Sequence, residues 1–363
     1  MNEHLPVFYS PEVLSHQTGN GFFEALASPY LPVTEAHPEN DLRLRNMIGI
    51  LKHGPLSTFL NWHDAPVANK AQLERFHTSD YIRELEQLDV TTSHRYSSTT
   101  ILGPGGFDVV KVSAGLSIAA AQHVWQGQSR IACAMCRPPG HHAQPSMADG
   151  YCFVNNIGVA VRELMASGLE RAVVIDWDVH HGNGTQEGFY DNSDILTISM
   201  HMDHGAWGVS HVQKGSAEEL GSGRGIGANL NIPLPYGSGD IAYTRVFREI
   251  VMPAVVDHRP EVIFIANGQD ANQFDPNGRQ IVTMEGFFEL ARLARELAET
   301  VCDGRLVIVQ EGGYAISYAA YCLHAGLCGF LEQEQTLPDP LAFLPEHTEN
   351  LDQFIAMVQR VHG

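Results

Sequence analysis

Positive charge is what this 363-residue chain has least of: 22 Lys and Arg stand against 42 Asp and Glu, a net charge of −20. A protein that grips a phosphate backbone needs the opposite balance, so direct DNA or RNA recognition is not expected. The acidic field favours cationic partners, although solubility accounts for it equally well. No apolar run reaches transmembrane length, and the opening residues, MNEHLPVFYS, lack a charged and apolar leader. No membrane role is expected, and cytoplasmic residence is the default. The six cysteines, Cys133, Cys136, Cys152, Cys302, Cys322 and Cys328, form no small-domain disulfide framework. Cys133 and Cys136 are spaced C-x-x-C, but they sit inside the apolar IACAMC with no second such pair, and read as core. A linker is missing too. Strand and helix signals alternate without a break, which predicts one α/β domain over residues 1–363.

What is present centres on residues 172–190, AVVIDWDVHHGNGTQEGFY. Ala172 to Asp176 is an apolar, β-branched run of the kind that fills a strand buried on both faces. At its carboxyl end come Asp176, Asp178, His180, His181, Gly182, Asn183 and Gly184. Ligands of open α/β sheets sit beyond the carboxyl ends of strands, so this is where a site belongs. Further strands are predicted at Leu5 to Tyr9, Ile131 to Met135, Ile195 to Met200, Leu230 to Leu234, Val262 to Ala266 and Leu306 to Val309. Helices are predicted at Leu42 to Leu51, from near Lys70, at His77 to Leu88, and over 109–126 with Asp108 as cap. More follow at Val154 to Met165, 241–256, 284–301, from Tyr318, and from Leu351 to Val361. Residues 90–107 and 202–228 read as long loops. This alternation predicts a mostly parallel sheet with helices on both faces.

Four strand ends carry unusual polar residues: His141 and His142; Asp176 to His180; Asp270; and Glu311-Gly312-Gly313-Tyr314. Asp178, His180 and Asp270 make a three-ligand set that leaves a position for water or substrate, as catalytic metals require, and oxygen with imidazole suits Zn²⁺, Mn²⁺ or Fe²⁺. Such an ion acidifies its water and polarises a carbonyl. The histidine pair on its Pro-Pro-Gly turn can supply base and acid, with Asp176 and Asn183 as orienting partners. Tyr314 can donate its hydroxyl to a developing oxyanion.

RPPGHHA at 137–143, GYCFVNN at 150–156, IDWDVHHGNGTQ at 175–186, ISMH at 198–201 and QEGGY at 310–314 resemble the zinc-dependent histone deacetylase superfamily, over most of residues 30–335. Within it the sequence is most similar to the bacterial class II-like branch of histone deacetylase-like and acetylpolyamine amidohydrolases. The resemblance implies an arginase-like open α/β sheet with long active-site loops. It implies one zinc on Asp178, His180 and Asp270, with His142 as general base and acid and His141 as its electrostatic partner. Asp176 would pair with His141 and Asn183 with His142, while Tyr314 would polarise the acyl carbonyl. Potassium is expected near Asp176, Asp178, His180, Ser199 and Met200. Gly150 and Tyr151 would line the acyl tunnel, with Trp207, Gly208 and Asn277 as further substrate contacts. The implied substrates are acylated lysine side chains, acylated polyamines or small acylamines, and the implied assembly is a homodimer or homotetramer.

Three departures bear on substrate choice. Tyr151 stands where relatives usually carry phenylalanine, and Ala206-Trp207-Gly208 lacks the second tunnel aromatic. The loop SHRYSSTTILGPGG at 93–106 has no acidic residue to hold a substrate backbone. Asn277 is a polar, uncharged residue where lysine deacetylases often have an apolar one. A pocket wider and wetter than a narrow acetyl-lysine tube follows. The resemblance also bears on two rival readings. A binuclear manganese ureohydrolase needs a second carboxylate where Gly182 stands, and a D-x-D pair where Asp270 stands single. A catalytically weak acyl-lysine binding protein would be expected to replace Tyr314.

Overall fold

The computed structural model describes residues 4–21, 28–88, 90–97, 99–205, 215–339 and 341–362. Eight strands form one sheet: β1 (Leu5–Phe8), β2 (Leu60–His63), β3 (Ile131–Ala134), β4 (Ala172–Asp176), β5 (Ile195–Met202), β6 (Asn229–Leu234), β7 (Val262–Asn267) and β8 (Leu306–Gln310). Their spatial order is β6-β5-β4-β7-β8-β3-β1-β2, and every pairing is parallel. The central strands read as unbroken apolar runs because both of their faces are buried: every residue of β3, β4, β7 and β8 is buried. One helix group joins Gly106–Trp125 to Asn156–Ala166, and a second packs Asp41–His53 and Met284–Cys302 on Tyr318–Phe330.

Two features of the sheet position everything that follows. Its register aligns the strand ends, pairing Asp176 with Ala266 and with Ser199, Asn267 with Gln310, and Val309 with Ala134. Its order makes β8 the sole bridge between the half β6-β5-β4-β7 and the half β3-β1-β2.

Several elements differ from the sequence prediction. The first long helix starts at Gly106 with Gly105 as its cap at φ +65°, so Asp108 lies inside the first turn, where a carboxylate favours the helix dipole. The segment 90–107 is not all loop: His94–Arg95 and Ile101–Leu102 pair as a small antiparallel hairpin. Its turn is closed by Ser97 Oγ accepting from the backbone of Thr99 and Thr100. The helix expected at 241–256 runs from Asp240 to His258 but passes through a π turn at Phe247–Val251. Pro253 has no N–H and its ring crowds the preceding turn, which displaces the hydrogen-bond ladder.

Candidate active site

Asp176 closes β4, and alternation carries the next polar side chains to one side. Trp177 and Val179, which alternate with Asp176, Asp178 and His180, are fully buried in the core. Short side-chain bonds fix this turn: Asp178 N donates to Asp176 Oδ1 at 3.0 Å, His180 N to Asp178 Oδ1 at 3.0 Å and Val179 N to Asp270 Oδ1 at 2.8 Å. Asp270 follows β7 and is fully buried. Ligand atoms of Asp178, His180 and Asp270 all lie within 4.8 Å of one another, the one such group among the described residues.

The set suits a dication. His180 Nδ1 lies 3.1 Å from Asp178 Oδ1 and 3.3 Å from Asp270 Oδ2, yet Asp270 Oδ2 makes no aligned hydrogen bond. Burial, and then the neighbouring Asp178 charge, push the Asp270 carboxyl up from its ordinary range. Two buried carboxylates converging on one imidazole are stable as anions only with more positive charge than the side chains offer. A divalent ion would supply it.

Both histidines of the Pro-Pro-Gly turn converge on this set, their ring centroids 4.0 Å apart, with His142 5.9 Å from the His180 ring. His141 Nδ1 is 2.9 Å from Asp176 Oδ2, and His142 Nδ1 is 2.6 Å from Asn183 Oδ1. The two environments pull apart. Burial lowers the proton affinity of both rings, but Asp178 and Asp176 reverse this at His141 and raise it well above the usual histidine range. At His142, burial joins repulsion from His141 and His180 and pushes the proton affinity well below that range. Gly182 completes the arrangement, because a Cβ there would strike the Asp176 oxygen that His141 uses.

Tyr314 follows β8, buried, with its backbone N–H donated to Asp275 Oδ2 at 2.7 Å. The Arg43 guanidinium carbon lies 5.3 Å from its ring centroid. The Tyr151 ring meets Tyr314 edge-on at 5.5 Å, and Asn277 Nδ2 donates to the Tyr151 hydroxyl at 3.0 Å. Gly150 and Tyr151 are both left-handed, at φ +48° and +69°. A side chain at Gly150 would enter the His142 ring, so only glycine lets this turn close against it. Ser199 and Met200 are buried in β5, and Ser199 Oγ accepts from Gly182 N at 3.2 Å. Trp207 and Gly208 lie outside the described residues.

Comparison with known proteins turns this geometry into an identity. A family model, the histone deacetylase domain, matches residues 37–329. The chain belongs to the histone deacetylase family. It is 44% identical over 362 residues to histone deacetylase 8 of Arabidopsis thaliana, covering 99% of this chain and 96% of that protein. It is 38% identical over 292 residues to the histone deacetylase-like amidohydrolase of Pseudomonas aeruginosa, covering 80% of this chain and 76% of that one. Among solved structures, the crystal structure of the HDA15 HD domain superposes with a TM-score of 0.84 at 28% identity, covering 99% of this chain and 95% of that one. These relatives span plant and bacterial proteins, so they establish the family and not a bacterial branch of it.

For this histone deacetylase family member, the structure gives four residues around the site a role that sequence reasoning did not assign. Asp275 anchors the Tyr314 turn. Glu311 accepts from Gly140 N at 2.6 Å and His141 N at 3.2 Å, holding the histidine turn from behind. Thr100 Oγ1 accepts from Tyr151 N at 3.2 Å, so the loop without acidic residues still touches the site. Asp149 accepts from Asn183 Nδ2 at 2.9 Å. Glu311 lay in a quoted motif and Asp149 beside one; their roles depend on partners 171 and 34 residues away, which no local pattern reveals.

Proposed function

We propose that this chain is a zinc-dependent amidohydrolase that removes acyl groups from amines. The observation that carries it is the convergence of a buried Asp-His-Asp set, two histidines paired to Asp176 and to Asn183, and a tyrosine at aligned ends of β3, β4, β7 and β8. Asp178, His180 and Asp270 would hold the zinc. When bound, the ion supplies Lewis acidity to the acyl carbonyl and its attacking water. The neutral His142, its Nδ1 directed to Asn183, is placed to take a proton from water through Nε2 and return it to the leaving amine. His141, kept protonated against Asp176, adds positive charge where the reaction builds negative charge. Tyr314 donates its hydroxyl to the carbonyl oxygen as that oxygen gains charge. Potassium on Asp176, Asp178, His180, Ser199 and Met200 belongs to the same proposal, supported by the pairing of Asp176 with Ser199.

For substrates we propose acylated lysine side chains or N-acylated polyamines and small amines. The Tyr151–Asn277 hydrogen bond gives Gly150, Tyr151 and Asn277 a polar rim, which supports acceptance of small acylamines beside acetyl-lysine peptides. The test is acetate release from an acetyl-lysine reporter and from N-acetylputrescine. Turnover should vanish with a chelator and return with Zn²⁺. Binding of the reporter without any turnover by the zinc-loaded chain would instead make it an acyl-lysine binding protein.

A further inference from the structure

The hydrogen bond at His142 Nδ1 is only as directional as the amide that makes it. An asparagine can turn either face to a ring nitrogen, offering oxygen to one tautomer or N–H to the other. Offered oxygen, His142 must carry its proton on Nδ1, leaving Nε2 as a lone pair. Offered N–H, it must carry the proton on Nε2 and can no longer accept one there. The base therefore depends on something that fixes the amide.

Asp149 is in position to do so. Its Oδ2 lies 2.9 Å from Asn183 Nδ2, on the far side of the amide from His142, and both Asp149 and Asn183 are buried. A carboxylate accepts and cannot donate. Turning the amide would set its oxygen against the Asp149 carboxylate, replacing a buried hydrogen bond by repulsion whichever tautomer His142 adopts. Asp149 also belongs to the turn that packs on His142. Asp149 N donates to Cys152 O at 3.0 Å, and Cys152 N donates to Asp149 O at 2.7 Å, closing a two-residue loop of Gly150 and Tyr151. One tight turn thus presents the carboxylate to Asn183, the bare glycine to the His142 ring and Tyr151 to Tyr314.

We infer that Asp149 is a positioning residue, the outer member of an Asp149–Asn183–His142 relay that locks His142 in the Nδ1-protonated tautomer. This rests on the reading of His142 as the base, and the experiment separates the two. In zinc-loaded protein labelled with ¹⁵N-histidine, the signal that disappears in His142→Gln identifies the ring. Wild type should show a protonated Nδ1, whereas Asp149→Ala should show both tautomers, a result that needs no turnover. In kinetics, Asp149→Ala should lower kcat about 10- to 100-fold, the range for a lost outer partner, with KM moving less than about threefold. Asp149→Asn keeps an acceptor and should recover most of it. Because the effect passes through Asn183, adding Asp149→Ala to Asn183→Ala should cost nothing more. Asn183→Asp would place two carboxylates face to face, and Asp149→Asn should rescue it. The relay is overturned if His142 keeps a single tautomer in Asp149→Ala, or if Asp149→Ala costs as much with Asn183 absent as present. An Asp149→Ala that loses melting temperature but no kcat also overturns it. If wild type releases no acetate while the tautomer result holds, the hydrolase reading fails and the relay stands.

Discussion

At the scale of the residue, Tyr314 has the simplest consequence. Tyr314→Phe keeps the ring against Tyr151 and Arg43 and removes one donor, so folding should be unchanged while kcat falls by about 10²–10³-fold. KM should move little, because the bond strengthens as charge develops. Unchanged kcat would assign the hydroxyl to packing. Asp270→Ala should release the metal as well as activity, since two remaining ligands rarely hold a catalytic ion. Metal analysis after dialysis checks this, and one equivalent of retained zinc would remove Asp270 from the ligand set. Residues of this kind were legible because each ends an apolar run, where a buried strand has no structural reason for acids or histidines. The roles of Asp149 and Glu311 were not, because what they satisfy are an amide and two backbone N–H groups brought near only by the fold.

At the scale of the element, the helix Asp41–His53 is tied to the end of β3 by one buried carboxylate. Glu39 Oε1 takes Arg137 Nε at 2.8 Å and Arg43 Nε at 3.2 Å, while Arg137 also donates to the carbonyls of Val13 and His16. Burial works to raise the Glu39 pKa, but Arg137, His16 and Arg43 overcome it and hold it at about 2. A depressed folded value means stability that is complete above the unfolded value and lost as pH falls through the folded one. Glu39→Gln should therefore cost about 3 kcal/mol or more at pH 7, as broken buried pairs do. Its deficit against wild type should shrink as pH drops from about 4.5 toward 2. Urea unfolding across that window measures it, and a deficit independent of pH would show that Glu39 acts through shape. His77 works in a higher window. Burial lowers it to about 4, so its contribution is full above the usual histidine range and fades as pH falls below it. The strands were readable as elements because parallel, doubly buried strands are continuous apolar runs. The hairpin at 94–102 was less so, since its two-residue strands and Ser97-closed turn are too short for a period to register.

At the scale of the whole molecule, the charge of −20 acts on approach rather than on chemistry. For a cationic N-acetylated polyamine, kcat/KM should fall several-fold between about 0.02 M and about 0.3 M salt, as the screening length drops well below roughly 10 Å. A neutral acetyl-lysine amide should change by less than about twofold across the same range. Equal salt responses would mean that the field does not reach the mouth of the site.

The place of β8 in the sheet sets when the reaction centre comes into being. All three proposed metal ligands follow β4 and β7, on one side of it, while the histidine pair follows β3, on the other. The turn leaving β8 clasps both: Glu311 takes the backbone of Gly140 and His141, and Gly312 N donates to Asp178 Oδ2 at 2.9 Å. A nascent chain thus carries every ligand and both histidines long before residues 306–310 emerge, but as two half-sheets with facing, unpaired edges. That strand and the turn leaving it act as a keystone. Until they drop in, the parts are all made and nothing holds the histidine pair to the Asp-His-Asp set.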